Sequence, residues 1–171
     1  MTTPHRLSPA LASDQPAIEC LLDATFGLSR RAKTSYRLRE GNQPIADLTC
    51  VVREEGLGIA GTISYWPLAI GKTKTPALLL GPIAVHPERQ NQGIGLFLMK
   101  ETLAKAKALG HRLVLLIGDA PYYERVGFQQ VPDGQMILPG PWSANRFLYL
   151  ELVPGALQKA HGLVLGVNKL R

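Results

Sequence analysis

Residues 83–109 decide the fold, and they read IAVHPERQNQGIGLFLMKETLAKAKAL. The run from Thr75 to Val85 is continuously apolar, which predicts a strand buried on both faces. A polar loop from His86 to Asn91 follows it. The stretch from Gly93 to Leu109 is rich in Ala, Leu, Lys and Glu, which predicts a helix that ends at Gly110. A strand, a polar loop, a glycine pair and a helix in this order are typical of a phosphate cradle.

The glycine pair, Gly93 and Gly95, lies at the predicted start of this helix. The first N–H groups of a helix have no partner inside it, and the helix dipole is positive there. Because glycine has no side chain, an anion can approach the backbone closely. We therefore predict that a pyrophosphate binds the amides from Gln92 to Leu96. The pair alone is equally compatible with a tight turn and close helix packing.

A dinucleotide-binding loop is the main alternative for this segment. That fingerprint needs a third glycine and a loop that opens directly from the strand. Here the third position is Leu98, and the polar loop separates the strand from Gly93. Only Asp119, at the distance of a ribose-binding acid, agrees with it. The sequence therefore argues against a dinucleotide site, and it lacks the Gly-Lys-Ser/Thr of a Walker loop.

The rest of the chain predicts two helices, then strands and helices in alternation. Several strands precede the first β-α-β crossover, which favours an α+β domain with a mixed sheet. The region from Pro132 to Ser143 predicts a long loop, and the tail from Pro154 is left unassigned. The predicted elements, in chain order, are helices from Ser13–Pro16 to Phe26 and over 29–40, strands over 48–53, 58–70 (bent at Pro67) and 75–85, a helix over 93–109, a strand over 113–117, a short helix over 121–126, and strands over 128–131 and 147–152.

Length and composition limit the class of protein. The 171 residues suit one domain over 1–171, and 46% of them are hydrophobic. No apolar run reaches the roughly 20 residues of a membrane-spanning helix. With no apolar signal core near the N-terminus, we expect a cytoplasmic protein without a membrane partner. Cys20 and Cys50 match no metal or redox spacing, so we expect reduced packing residues and no bound metal.

The net charge of +6 does not by itself identify a partner. The basic residues are scattered, and aromatic residues do not alternate with them as in a nucleic-acid-binding face. A cleft for a polyphosphate would also favour positive charge. We expect no nucleic-acid partner, while a basic nucleic-acid-binding module remains an alternative that a DNA- or RNA-binding measurement in moderate salt would test.

Two motifs resemble those of the GNAT N-acetyltransferase superfamily. Gln90-Asn91-Gln92-Gly93-Ile94-Gly95 matches its Q/R-x-x-G-x-G/A motif, after a strand that ends in Val85-His86-Pro87. Tyr123-Glu124-Arg125-Val126-Gly127-Phe128 matches the later Y-x-x-x-G-F motif. Residues 118–123 and 150–157 further resemble its YhbS-like subgroup. The resemblance implies one GNAT-type α+β domain, with a mixed, mostly antiparallel sheet that is splayed at the central strand and flanked by helices.

The resemblance also implies the cofactor, acetyl-CoA, and the residues that bind it. The pantetheine arm would pair with the backbone of Ile83, Ala84 and Val85 as an added strand. The pyrophosphate would lie on Gln90, Asn91, Gln92, Gly93, Ile94, Gly95 and Leu96. Further candidates for cofactor contact are Arg89, Lys100, Arg125, Asp119 and Tyr122; Asp119 is also a candidate helix cap, and His86 a candidate base.

Tyr123 occupies the family's usual general-acid position. A phenol there would protonate the departing thiolate, and the ordinary pKa values of phenol and thiol lie within ~2 units. The acceptor is a small-molecule or peptide amine that the sequence does not identify. Its pocket is predicted from the 26–36 region, Tyr65-Trp66 and the loop 142–146. A homodimer is an expectation of the family, and a non-catalytic acyl-CoA sensor is the alternative function.

Overall fold

The computed structural model describes residues 4–170, which form a nine-stranded sheet flanked by helices. Two of the strand pairs are parallel and the others are antiparallel. The strands are β1 (Leu7–Pro9), β2 (Cys50–Glu54), β3 (Gly58–Ile70), β4 (Thr75–Val85), β5 (Leu113–Ile117), β6 (Gln129–Gln130), β7 (Met136–Ile137), β8 (Phe147–Glu151) and β9 (Gly162–Gly166).

Four α-helices accompany the sheet within the described residues. They are α1 (Gln15–Phe26), α2 (Thr34–Arg39), α3 (Ile94–Ala108) and α4 (Ala120–Glu124). Short 3₁₀ turns connect several elements, including one over Pro87–Arg89 between β4 and α3. This α+β arrangement with a mixed sheet confirms the predicted fold class.

The sheet divides at β4. The strand order is β1-β2-β3-β4-β5-β8-β6, with β9 beside β3 and β7. β4 pairs with β3 along most of its length, but it pairs with β5 only at Leu78 and Leu79. Beyond Leu79 the two strands have no registered pairs, so the second half of β4 has an open edge. The splay expected at the central strand is therefore present.

The hydrophobic core lies on both faces of β4, as its continuous apolar sequence predicts. Leu78 and Leu80 belong to the cluster under α3, with Leu98 and Met99. Ala77 and Leu79 belong to the cluster on the opposite face, with Leu38 of α2. Burial on both sides fixes the position of β4, and with it the loop that leads into α3.

Several predicted boundaries are wrong for reasons of tertiary structure. The predicted helix over 29–40 is a 3₁₀ turn over Leu28–Ala32 and then α2, separated at Lys33 where the backbone is extended. The buried Arg30 guanidinium is held there by Glu19 and Asp23 of α1. β3 does not bend at Pro67; its register shifts between Ile63 and Tyr65 instead. Opposite that shift lies the cis peptide Gly81-Pro82.

The termini and the cap of α1 also differ from expectation. β1 was not predicted, and β9 lies in the tail left unassigned, paired with β3 and with β7 inside the predicted loop 132–143. Ser13 does not cap α1, because Asp14 precedes the helix and its carboxylate binds Arg53 instead. Cys20 is exposed on α1 and is no packing residue, whereas Cys50 is buried.

Candidate active site

The open edge of β4 is formed by Ile83, Ala84 and Val85. On one side these residues pair with β3, and on the other β5 has already diverged. Their N–H and C=O groups on that side face a cavity of about 560 Å³. An extended ligand with amide groups can complete this edge as an added strand.

The loop between β4 and α3 closes one end of this cavity. Asn91 and Gly93 both have a positive φ, at 61° and 81°, which turns the chain sharply into the helix. Gly93 is the N-cap and makes no side-chain cap bond. The amides of Ile94, Gly95 and Leu96 open the helix and have no carbonyl partner within it. The positive end of the helix dipole therefore points into the cavity.

Two adjacent tyrosines of α4 face this helix start. If Gly95 carried a Cβ atom, that atom would lie 2.1 Å from the Tyr122 hydroxyl oxygen. The absence of a side chain at Gly95 therefore lets the Tyr122 hydroxyl reach the first turn of α3. Tyr123 packs edge-on against both Tyr122 and Phe128, with ring centroids 5.1 Å and 6.1 Å apart.

The structure brings nearly all of the predicted cofactor residues together around one cavity. Its lining also includes Thr25 and Phe26, at the end of α1, which the sequence did not predict. The predicted residues that line it are Ile83, Ala84, Val85, Arg89, Gln90, Asn91, Gly93, Ile94, Gly95, Leu96, Tyr122, Tyr123 and Arg125.

Gln92 and Asp119, like Lys100, lie outside this cavity. The Gln92 side chain is exposed, and its Nε2 lies 3.4 Å from the Glu88 carbonyl oxygen. Asp119 lines a neighbouring cavity instead. It is the N-cap of α4 by position, but its side chain makes no cap hydrogen bond, so the predicted side-chain cap is wrong. Its backbone carbonyl accepts from the N–H groups of Tyr122 and Tyr123.

Comparison with known proteins agrees with this geometry. Residues 46–130 match the model of the acetyltransferase (GNAT) domain. The chain is 26% identical over 151 residues to the uncharacterized N-acetyltransferase YhbS of Escherichia coli strain K12, covering 88% of this chain and 89% of that protein. The matched residues are a GNAT acetyltransferase domain. With the relatives it resembles, this domain makes the protein an acetyltransferase.

Solved structures of GNAT proteins share the fold. The crystal structure of Escherichia coli YhbS in complex with CoA superposes with a TM-score of 0.82, at 24% identity, over 99% of this chain and 95% of that one. A GNAT family acetyltransferase from Brucella melitensis in complex with acetyl-CoA superposes with a TM-score of 0.66, at 26% identity, over 88% of this chain and 90% of that one.

Burial sets the acidity of the candidate GNAT acid. Burial, with a smaller effect of the neighbouring Tyr122, raises the pKa of the Tyr123 phenol to about 12. The ordinary thiol pKa is ~8.5, so the gap is about 3.5 pH units and wider than the sequence suggested. Tyr123 therefore stays protonated over the whole physiological range, so its hydroxyl is available to donate a hydrogen bond.

The charged candidates near the cradle differ in their surroundings. Arg89 lines the cavity, but its Nε donates to the Glu54 carboxylate oxygens at 3.0 Å and 2.8 Å. This bond holds the Glu54 pKa below its ordinary value. Arg125 is exposed at the cavity wall, whereas Lys100 is exposed on α3 and does not line it. His86 Nδ1 accepts from the Glu88 N–H, which occupies that nitrogen within its own turn.

Two further cavities, of about 580 Å³ and 410 Å³, lie on the other side of the open edge. The smaller one shares Phe26, Ile83, Tyr122 and Tyr123 with the cavity of about 560 Å³ at the β4 edge, which we call the cofactor cavity because the predicted cofactor residues line it. Both are lined by Arg30, Tyr36, Arg39 and Pro82. A ligand in the smaller cavity would therefore meet the end of the β4 edge beside Tyr123.

Only some of the residues predicted for the acceptor pocket line these two cavities. Tyr36, Trp66 and Arg146 line these cavities. Tyr65 is fully buried and its hydroxyl lies 2.8 Å from the Thr102 hydroxyl, so it is a core residue. Arg39, in the last turn of α2, also lines both cavities but was not predicted to do so. The only signal for it in the sequence is its position three residues after Tyr36, which places both side chains on the same face of a helix.

Within residues 4–170 no helix combines the length and apolar character that a membrane crossing needs. In the same residues, no cluster of three or more His, Cys, Asp or Glu side chains is arranged to hold a metal ion.

Proposed function

We propose that this GNAT protein transfers an acetyl group directly from acetyl-CoA to a primary amine of a small molecule or peptide. The observation on which the proposal depends is the continuity of three features around one cavity. The open edge of β4 leads to the unpartnered amides at the start of α3, and the two tyrosines of α4 face both. The open edge suits the pantetheine arm, the amides suit the pyrophosphate, and the tyrosines lie where the thioester would be.

The shape of the cradle fits a pyrophosphate. At Gly95 the helix start is bare of side chain, and the Tyr122 hydroxyl lies against it as an additional donor. Phosphate oxygens accept from amides and hydroxyls at a helix N-terminus, where the dipole stabilises their charge. We assign Ile83–Val85 to the pantetheine arm, and Gln90–Leu96 with Tyr122 to the pyrophosphate. Arg89 is a weaker candidate because Glu54 already neutralises it.

The chemistry needs few groups from the protein. The amine attacks the thioester carbonyl, so a C–N bond forms and the C–S bond breaks. The backbone N–H near Val85 polarises the carbonyl oxygen. Tyr123 donates to the sulfur as it departs and regains its proton from solvent. The proton that leaves the amine passes to water.

We also expect the chain to form one domain over residues 1–171, to reside in the cytoplasm and to form a homodimer. These expectations come from its length, its composition and its family.

Replacing Tyr123 by Phe tests the proposed acid. The ring packing against Phe128 is retained and only the donor is lost. We expect kcat to fall by about 100-fold or more, with little change in the affinity for acetyl-CoA. Thiol release and calorimetric CoA binding measure the two quantities separately.

Tyr149→Phe is the matched control, because the Tyr149 hydroxyl donates to the Gln129 side chain at 3.1 Å and Tyr149 lines none of the three cavities. It should leave kcat unchanged. An unaltered kcat in Tyr123→Phe would exclude Tyr123 as the acid. Absence of thiol release with every amine, despite CoA binding, would argue for an acyl-CoA sensor instead.

A further inference from the structure

The guanidinium of Arg39 stands between the two cavities on the acceptor side. It lies over the rings of Tyr36 and Trp66, with its Cζ 4.7 Å and 5.9 Å from their centroids. A Cβ on Gly81 would lie 3.0 Å from its Nη2, so the guanidinium also packs against the bend of β4. Its plane is thus held by two aromatic rings and one backbone segment.

This guanidinium lacks the carboxylate partners that hold the buried Arg30. Arg30 is held by Glu19 and Asp23, whereas no carboxylate of the described residues forms an ion pair with Arg39. The Arg39 Nε is buried and has no hydrogen-bond partner. A buried donor without an acceptor is costly in a folded protein. Burial lowers the pKa of Arg39 to about 10, although the neighbouring Tyr36 acts in the opposite direction.

The surrounding cavity is positively charged. The smaller acceptor-side cavity is lined by Lys33, Arg39 and Arg146, and by one carboxylate, Asp119; Arg30 also lines it, already neutralised by α1. The larger cavity contains Glu19, which binds Arg30 and Arg31, and Glu40. A planar guanidinium with no carboxylate partner and an unsatisfied Nε, in such a field, matches a carboxylate or phosphate group.

We infer that the acceptor is a small amine bearing an anionic group, a carboxylate or a phosphonate-type oxyanion, which binds Arg39. The inference rests on the proposed acetyl transfer, and it names the class of acceptor. The combined space of the two cavities suits a metabolite of amino-acid size. The amine is then directed to the end of the β4 edge beside Tyr123, which lines the same cavity.

Matched pairs of acceptors test this inference. Each pair keeps the amine and changes only the anion: amino acids against their amides, and aminoethylphosphonate against ethanolamine. We expect kcat/KM to favour the anionic member of a pair by about 10- to 100-fold, the range for a charge-assisted hydrogen bond. The two kinds of pair distinguish a carboxylate from a phosphonate-type acceptor.

Arg39→Gln should abolish that preference through KM, with the amides unaffected. Arg39→Lys, which keeps the charge but not the fork, should retain a part of it and covers the case in which Arg39→Gln fails to fold. Arg37→Gln is the control, because Arg37 is on the same helix, is exposed and lines neither cavity. A preference for amides or polyamines, or an unchanged KM in the folded Arg39 variants, would overturn the inference while acetyl transfer stands.

A binding measurement tests the anion site at Arg39 independently of catalysis. The chain has two tryptophans, and Trp66 is the one beside Arg39. In a Trp142→Phe background, the fluorescence of Trp66 should change on addition of N-acetyl amino acids to the CoA-saturated protein, and not on addition of their amides. Loss of this response in Arg39→Gln, with a weaker response retained in Arg39→Lys, supports the anion site even if no acceptor turns over. Equal responses to acid and amide, or no response to either, would overturn it.

Discussion

Among single residues, Gly95 and Tyr122 depend on each other most directly. Gly95 has ordinary helical geometry, so an alanine there meets no backbone strain. Its Cβ, however, would lie 2.1 Å from the Tyr122 hydroxyl oxygen and 3.4 Å from Cζ. The obstacle is therefore the hydroxyl alone, and removing it makes room for the methyl group.

This geometry predicts a double-mutant cycle. Gly95→Ala should destabilise the protein, because Tyr122 must move out of its packing. Gly95→Ala with Tyr122→Phe should recover stability, since Ala is favoured over Gly in a helix by roughly 0.5–1 kcal/mol. We expect a coupling free energy of about 1–3 kcal/mol, measured by urea unfolding. Additive effects of the two changes would contradict the close contact.

The ionisation of Tyr123 makes a second prediction at the same scale. Its pKa is raised to about 12, so the phenol is protonated throughout the range below roughly pH 11. The ratio of kcat between the wild type and Tyr123→Phe should therefore stay constant from about pH 7 to pH 10. A ratio that declines with an apparent pKa below 10 would show that Tyr123 ionises earlier than its burial implies. Any change of rate that both proteins share in this range belongs to another group, such as the acceptor amine.

The β4–loop–α3 element should supply most of the affinity for CoA through its backbone. If the pyrophosphate binds the amides at the start of α3, S-acetylpantetheine, which lacks it, loses those bonds without losing the reacting thioester. Two charge-assisted bonds correspond to about 100-fold or more in KM, with kcat nearly unchanged. Steady-state kinetics with both donors give the comparison.

Gly93→Ala is the matching variant of this element, because its cost is confined to backbone conformation. Gly93 has a φ of 81° and no neighbouring atom within 4 Å of an added Cβ. The substitution should raise KM for acetyl-CoA and leave KM for S-acetylpantetheine unchanged. An equal effect on both donors would mean that the loop positions the thioester rather than the pyrophosphate.

The sequence predicted some strands and loops of this fold accurately and missed others. β3, β4 and β5 have the predicted bounds, because each is a long or continuously apolar run between turn residues. β1, β7 and β9 were missed since they are short and are defined by their partners rather than by their own sequence. The cofactor loop was predictable because its residues are contiguous. Arg39 was not, because the fold alone brings α2 to the bend of β4.

At the scale of the whole molecule, an ion pair among the described residues connects the start of α1 to the sheet, in addition to the apolar packing of α1 on β2, β3 and β4. The Asp14 carboxylate accepts from both Arg53 Nη atoms at 2.6 Å and from the Leu11 N–H at 2.6 Å. Arg53 is in β2, and Asp14 immediately precedes α1, whose end at Thr25 and Phe26 lines the cofactor cavity. The pair therefore contributes to the stability of the fold and to the position of the helix whose end lines that cavity.

Acid titration should reveal this connection. The hydrogen bonds from Arg53 lower the pKa of Asp14 from its ordinary value of 3.8 to about 2. A carboxylate with a lowered pKa stabilises the folded state above its unfolded pKa, and that stabilisation is lost as the pH falls through the folded value. Asp14→Asn should thus lower the Tm at pH 7, and the difference from the wild type should shrink between about pH 4 and pH 2. Asp133→Asn, at an exposed position between β6 and β7, is the control and should show no such convergence. If the difference in Tm stays constant across this range, the charge of the Asp14 carboxylate does not contribute to the stability of the fold.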